Sequence, residues 1–175
     1  MPGAVLDESL DRLARCVATT RAERVIVVGD LLHTKTATTP EVIERVAAWR
    51  AELAAEIGIV PGNHDRDIAD IAARWHLRLY PAELYDGPFR IVHEPDAGTA
   101  DHYTWAGHLH PAVALSAGGD SVRLPCFRVG TKLAVLPAFS VFTGRGGVTT
   151  APDDRLYAVT PERVFPVPAP RARGR

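Results

Sequence analysis

Residues 24–30 read RVIVVGD, a run of mostly β-branched side chains that is stopped by a glycine and an aspartate. An apolar run of this length predicts a buried strand. A second such strand is predicted over 57–60, where IGIV is followed by Pro61 and Gly62. Apolar residues at helical spacing before, between and after the two strands give an α-β-α-β-α order, which is typical of a parallel layered sheet.

Three helices are predicted in the first half of the chain. The second begins at Thr39-Pro40-Glu41, because a hydroxyl residue followed by proline is a frequent helix start. The apolar positions that define the three helices are Leu6, Leu10, Leu13 and Val17; Val42, Val46, Trp49 and Leu53; and Ile68, Ile71 and Trp75.

The pattern changes near residue 77. Short alternating segments, from LRLY at 77–80 to RVFPV at 163–167, are separated by Gly, Pro or Asp. This pattern predicts antiparallel sheet with hairpins. A chain of 175 residues fits one domain, which we expect over 1–168, followed by a disordered tail at 169–175.

The composition excludes some classes of function. A net charge of −1 excludes a strongly basic protein that coats nucleic acid, but it allows an enzyme with a local basic cleft. The sequence has no membrane-length apolar run and no signal-peptide pattern, so a cytoplasmic protein without membrane contact is expected. Cys16 and Cys126 are the only cysteines, and we expect both to be buried thiols in a reducing compartment.

Polar side chains follow both predicted parallel strands, at the strand ends where layered sheets bind ligands. Gly-Asp closes the first strand at 29–30, and Gly-Asn-His-Asp closes the second at 62–65. His93 ends a later strand, and His108 and His110 lie in WAGHLHP. Residues i and i+2 of an extended segment point the same way, so His108 and His110 are expected to face one spot.

Four of these residues also have a purely structural interpretation, whereas His108 and His110 are less easily explained in this way. Asp30 could cap a helix, Asn63 and Asp65 could form an Asx-turn, and His93 could be a half-buried strand residue. Together, the residues favour a metal site. Carboxylate, amide and imidazole donors without thiolate suit Mn, Fe, Zn or Co, and metal ions at such sites promote displacement at phosphorus.

The motif order resembles the calcineurin-like metallophosphoesterases. GD at 29–30, GNHD at 62–65, a lone His93 and GHLH at 107–110 carry the resemblance. The wider text over about 5–167 is similar to one branch, the ligase-associated DNA damage response endonucleases (the PdeM group). The resemblance implies an α/β (α+β layered) fold: a metallophosphoesterase-type β-sandwich flanked by helices, here without its N-terminal strand.

The same resemblance implies roles for the site residues. Asp30 would bridge two metal ions, with Mn²⁺ as the expected ion, and His110 would bind the first of them. The second ion would also be bound by Asn63, His93 and His108. His64 would contact the scissile phosphate with support from Asp65. The substrate phosphate would lie near His33 and Arg66.

The family's first motif, Asp-x-His, does not occur in this sequence. Either the true start lies upstream of Met1, which we favour, or the protein functions without the first metal. The chain as written is expected to bind at most one metal tightly and to show little Mn²⁺-dependent hydrolysis of a phosphodiester. The resemblance implies a metal-dependent DNA endonuclease in repair, with DNA ligase or helicase partners. The alternatives are a small-molecule phosphatase or cyclic-nucleotide phosphodiesterase, and an inactive interaction subunit of a DNA-repair assembly.

Overall fold

The computed structural model describes residues 2–32, 39–66, 68–99, 101–117, 119–140 and 146–167. The chain divides into two compact units, Met1–Leu84 and Tyr85–Arg175. The expected tail at 169–175 lies outside the described residues, and a single domain over 1–168 stays a prediction. Among the described residues, no helix has the length and apolar character needed to span a membrane.

The first unit contains a three-stranded parallel sheet in the order β1-β2-β3. In its described residues, the elements along the chain are α1 (Pro2–Thr20), β1 (Arg24–Val28), α2 (Pro40–Glu52), β2 (Glu56–Val60), α3 (Ile68–Arg74) and β3 (Arg78–Leu79). Arg24 pairs with Glu56 and Val28 with Val60, so β1 and β2 end at the same level. The polar residues that follow the two strands therefore leave the sheet side by side.

Apolar side chains from α1, α2, α3 and the sheet form the core of the first unit. Its buried members are Leu32, Ile43, Val46, Ile59, Ile68, Ile71 and Trp75, with Leu6 and Leu10 of α1 packed against them. Trp75 donates its indole N–H to the Ile43 carbonyl oxygen at 2.9 Å, which joins the end of α3 to α2. Thr39 caps α2 and Pro40 is its first residue, as the sequence predicts.

The segment LRLY at 77–80 corrects one prediction. The sequence predicts antiparallel sheet here, but Arg78–Leu79 pairs parallel with β2 because α3 provides the crossover between the two strands. Tyr80 then packs over Gly58, where a Cβ atom would lie 2.3 Å from the ring Cε2 atom. Only glycine leaves room for this ring, so Gly58 fixes how closely the segment after β3 approaches β2.

The other sheet has nine strands within the described residues. They are β4 (Glu83–Asp86), β5 (Phe89–Val92), β6 (Tyr103–Ala106), β7 (Pro111–Ala117), β8 (Asp120–Val129), β9 (Leu133–Val135), β10 (Gly146–Gly147), β11 (Arg155–Val159) and β12 (Val164–Val167). The main path is β10-β7-β8-β9-β6-β5-β4, and β11 pairs with both β8 and β12.

This sheet is mixed, so the expectation of antiparallel sheet is only partly correct. β8 pairs antiparallel with β7, β9 and β11, but β6 pairs parallel with both β5 and β9. The connection from β5 to β6 has no helical pattern in its sequence. The usual sequence signal for a parallel crossover is therefore missing there. The α/β class with mixed sheets and flanking helices is confirmed.

The two cysteines lie in different environments. Cys126 is fully buried in the core of the second unit with Val113, Leu156 and Ala158, and burial raises the pKa of its thiol to about 11. Cys16 is exposed on α1, so the prediction that both thiols are buried is wrong for Cys16. The core-facing side of α1 is formed by Leu6 and Leu10, and both cysteines are free thiols.

Candidate functional site

Asp65 connects the polar loops that follow β1 and β2. Its side chain is buried, with 5% of its surface exposed. The Oδ2 atom accepts hydrogen bonds from the backbone N–H groups of Gly62 and Asp30, both at 2.7 Å, and Oδ1 accepts one from Leu32 at 2.9 Å. One carboxylate thus satisfies three backbone donors, two of them in the loop after β1.

The backbone at Asp30 has an unusual conformation. Gly29 has a φ of 75° and Asp30 a φ of 55°, so two consecutive residues are left-handed. A residue other than glycine held in this region typically costs on the order of 1–3 kcal/mol. The Asp30 side chain in turn accepts the backbone N–H of His64 at 3.2 Å. The carboxylate in each loop thus accepts a backbone N–H from the other loop, and these hydrogen bonds hold the loops after β1 and β2 together.

The remaining residues that the sequence predicts in this unit lie in the turn after β2. The side chains of Asn63, His64 and Arg66 are exposed, and Arg66 donates its backbone N–H to the His64 carbonyl oxygen at 2.9 Å. The structure thus brings Asp30, His64 and Asp65 together. Direct support of the His64 ring by Asp65 stays a prediction. His33 lies outside the described residues.

His93 and His108 form a close imidazole pair in the second unit. His93 is buried at the end of β5, and its Nε2 atom lies 3.1 Å from Nδ1 of His108. The rings meet edge to face, with centroids 5.0 Å apart. Two nitrogen ligands with bonds of about 2.0–2.2 Å to one cation lie about 3 Å apart. The pair therefore has a donor spacing that fits two cis ligands of one metal ion.

His110 does not follow the extended geometry expected from the sequence. The chain turns after β6, with φ values of 63° at His108 and 45° at His110, and Leu109 donates its N–H to the Gly107 carbonyl oxygen. The i and i+2 alternation of a strand does not apply to such a turn. The argument that His108 and His110 face one spot because the segment is extended is therefore wrong.

An ion pair between buried Arg90 and half-exposed Asp96, which the sequence motifs do not indicate, braces the loop after His93. Arg90 is buried in β5 and binds both carboxylate oxygens of Asp96, at 2.8 and 2.7 Å. Asp96 also accepts the backbone N–H of Gly98 at 2.7 Å. The Arg90 guanidinium, with the Gly98 N–H, lowers the pKa of Asp96 to about 2. No local motif signals this brace, because Arg90 lies within an otherwise apolar strand segment.

The ion pair between Arg90 and Asp96 predicts that the parent chain and the variant Asp96→Asn differ in stability by an amount that depends on pH. The pKa of Asp96 in the folded protein is below its ordinary value of 3.8. The ion pair therefore contributes to the free energy of unfolding above about pH 4, and this contribution is lost as the pH falls towards 2. Asp96 is half exposed, and we expect Asp96→Asn to cost about 1 kcal/mol or less at pH 7. Melting temperatures of both proteins from pH 7 to pH 2 should converge. A difference that is constant over this range would contradict the prediction.

Comparisons with known proteins agree with this fold. No protein-family model matches the chain, and no curated protein matches it either. A solved nuclease structure does match, with a TM-score of 0.81 and 34% sequence identity, over 93% of this chain and 78% of the nuclease chain. The chain belongs to the family of this nuclease. The matched protein is the nuclease MPE of Pseudomonas putida.

Proposed function

We propose that this chain is a metal-dependent phosphoesterase that hydrolyses phosphodiester bonds in DNA. The observation that carries the proposal is the spacing of the His93 and His108 nitrogens, in a chain that belongs to a nuclease family. Imidazole nitrogens at this spacing suit a divalent transition metal. The metallophosphoesterase class rests on the motif order GD, GNHD, His and GHLH along the sequence.

The proposed ligands of the ion are Asp30, Asn63, His93 and His108, and the proposed ion is Mn²⁺. A carboxylate, an amide oxygen and imidazoles without thiolate are the donors that such an ion accepts. His110 is proposed as a ligand of the other ion, which Asp30 would bridge to this one. A bound divalent cation supplies Lewis-acid chemistry, polarising the phosphoryl group and lowering the pKa of water.

The remaining roles in the reaction are assigned to residues of the chain that do not bind the ion. His64 has an exposed side chain in the turn after β2, and we assign it to the phosphate and to proton transfer to the leaving oxygen. Arg66 is exposed two residues further on, and we assign it and His33 to binding of the substrate phosphate. A cytoplasmic DNA-repair role, with ligase or helicase partners, rests on the sequence resemblance alone.

The experiment is a nicking assay on supercoiled circular DNA with the metal-free full chain. Because the chain lacks the Asp-x-His motif, we expect weak nicking when Mn²⁺ is added and none in the presence of EDTA. Cyclic nucleotides and nucleoside monophosphates, assayed under the same conditions, separate a nuclease from a phosphodiesterase or phosphatase of small molecules. Hydrolysis of the small substrates without any nicking would replace the proposed substrate class. Absence of hydrolysis with every substrate would favour an interaction subunit.

A further inference from the structure

The hydrogen bonds of Asp65 go to backbone N–H groups, one of which is that of Asp30. Its carboxylate is buried and accepts N–H groups from Asp30 and Leu32, which flank Leu31 in the loop after β1. The third donor, Gly62, lies in the turn that Asp65 itself closes. All three bonds end on backbone atoms, so this side chain fixes the path of two loops.

The loop after β1 needs such a restraint, because Asp30 has a positive φ of 55°. A left-handed aspartate relaxes towards ordinary regions unless its surroundings hold it. The N–H group of Asp30 is the donor that Oδ2 of Asp65 holds at 2.7 Å. The backbone conformation at Asp30 sets the direction of its Cα–Cβ bond, and the carboxylate accepts the N–H of His64 in the same network.

We infer that Asp65 is a positioning residue, which clamps the backbone at Asp30 and Leu32 and so aims the Asp30 carboxylate at the metal ion. The inference rests on the proposed function, in which Asp30 is a metal ligand. It differs from the role that the resemblance implies for Asp65, which is support of the His64 ring. If Asp65 positions the backbone at Asp30, loss of Asp65 weakens metal binding. If Asp65 instead supports the His64 ring, its loss lowers turnover and leaves metal affinity unchanged.

The variant Asp65→Asn has nearly the same shape and removes one acceptor. An amide has one oxygen and one NH₂ group, so it can serve the Oδ2 contacts or the Oδ1 contact but not all three donors. Partners that orient metal ligands typically contribute roughly 10–100-fold to metal affinity. We expect Asp65→Asn to bind Mn²⁺ more weakly by this factor, measured by calorimetric titration of the full metal-free chain.

Asp154→Asn is the matched control. Asp154 is also a buried carboxylate that accepts a backbone N–H, from Ala151 at 2.6 Å, and it binds Arg128 at 2.7 Å. It lies in the second unit and has no assigned part in metal binding. The control should melt at a lower temperature than the parent chain and keep the parent's Mn²⁺ affinity.

The outcomes distinguish a failure of the positioning role of Asp65 from a failure of the proposed function. If the parent chain binds no Mn²⁺, the proposed metal site fails. If the parent binds Mn²⁺ and Asp65→Asn binds it equally well, the clamp is overturned. A second measurement on the parent chain does not depend on how the variant folds. The amides of Asp30 and Leu32 should be protected from hydrogen exchange without metal, and exchange at the rate of unprotected amides would overturn the clamp.

Discussion

The variant His108→Ala is expected to lose tight Mn²⁺ binding and, as a consequence, hydrolysis of DNA. The imidazole of His108 lies 3.1 Å from that of His93, and a single remaining imidazole leaves the ion with fewer ligands. The loss of affinity should exceed the roughly 10–100-fold that is typical for removing an outer-shell partner. Calorimetric titration with Mn²⁺ and the nicking assay on the same protein measure both effects.

His76→Ala is the control for backbone strain. His76 has a φ of 51°, close to the 63° of His108, so both substitutions place alanine in the left-handed region. His76 is exposed after α3 and has no assigned role in the site. Both variants carry alanine at a left-handed position, but only His108→Ala should lose the metal. Equal Mn²⁺ affinity in the two variants would remove His108 from the ligand set.

The variant His64→Ala is expected to keep its metal and lose turnover. His64 is assigned to proton transfer to the leaving oxygen, and general acid catalysis typically contributes roughly 10²–10⁴-fold. The loss should depend on the leaving group. A nitrophenyl ester releases a stable anion that needs little protonation, so it should lose less activity than a phenyl ester or DNA. Rates on these three substrates with saturating Mn²⁺ measure the dependence.

Two outcomes would contradict this assignment. If His64→Ala lost Mn²⁺ as readily as His108→Ala, His64 would be a ligand and not a proton donor. If the variant lost the same factor on all three substrates, the role of His64 would be to bind the phosphate and not to protonate the leaving oxygen. Its exposed position in the turn after β2 is compatible with contact to a substrate.

The parts of the fold that local patterns specify are predictable from the sequence. β1, β2 and the start of α2 at Thr39 follow from apolar runs and a capping signal, and the structure contains all three. The parallel pairing of β5 with β6 is not predictable, because strand direction depends on how the connection runs and not on the strand sequence. The turn at 107–110 also escapes prediction, since strand alternation does not hold where two residues have positive φ.

The candidate site is predictable in composition but not in its internal contacts. The motifs predict Asp30, Asp65, His93 and His108 as site residues, and this assignment stays a prediction. The bonds of Asp65 to Asp30 and Leu32 join residues more than 30 positions apart, and they depend on β1 and β2 ending at the same level. The Arg90–Asp96 brace likewise depends on a loop returning to its own strand. Such contacts follow from tertiary structure, which residue types alone do not specify.

The most direct test of the metal site is pulsed electron paramagnetic resonance of the full chain loaded with Mn²⁺. Nitrogen ligands couple to the electron spin of this ion, and the spectrum reports how many imidazoles bind it. We predict coupling to two imidazole nitrogens in the parent chain and in His76→Ala, and loss of the signal of protein-bound Mn²⁺ in His108→Ala at the same Mn²⁺ concentration. A bound Mn²⁺ without any imidazole coupling would contradict the proposal that His93 and His108 hold the ion.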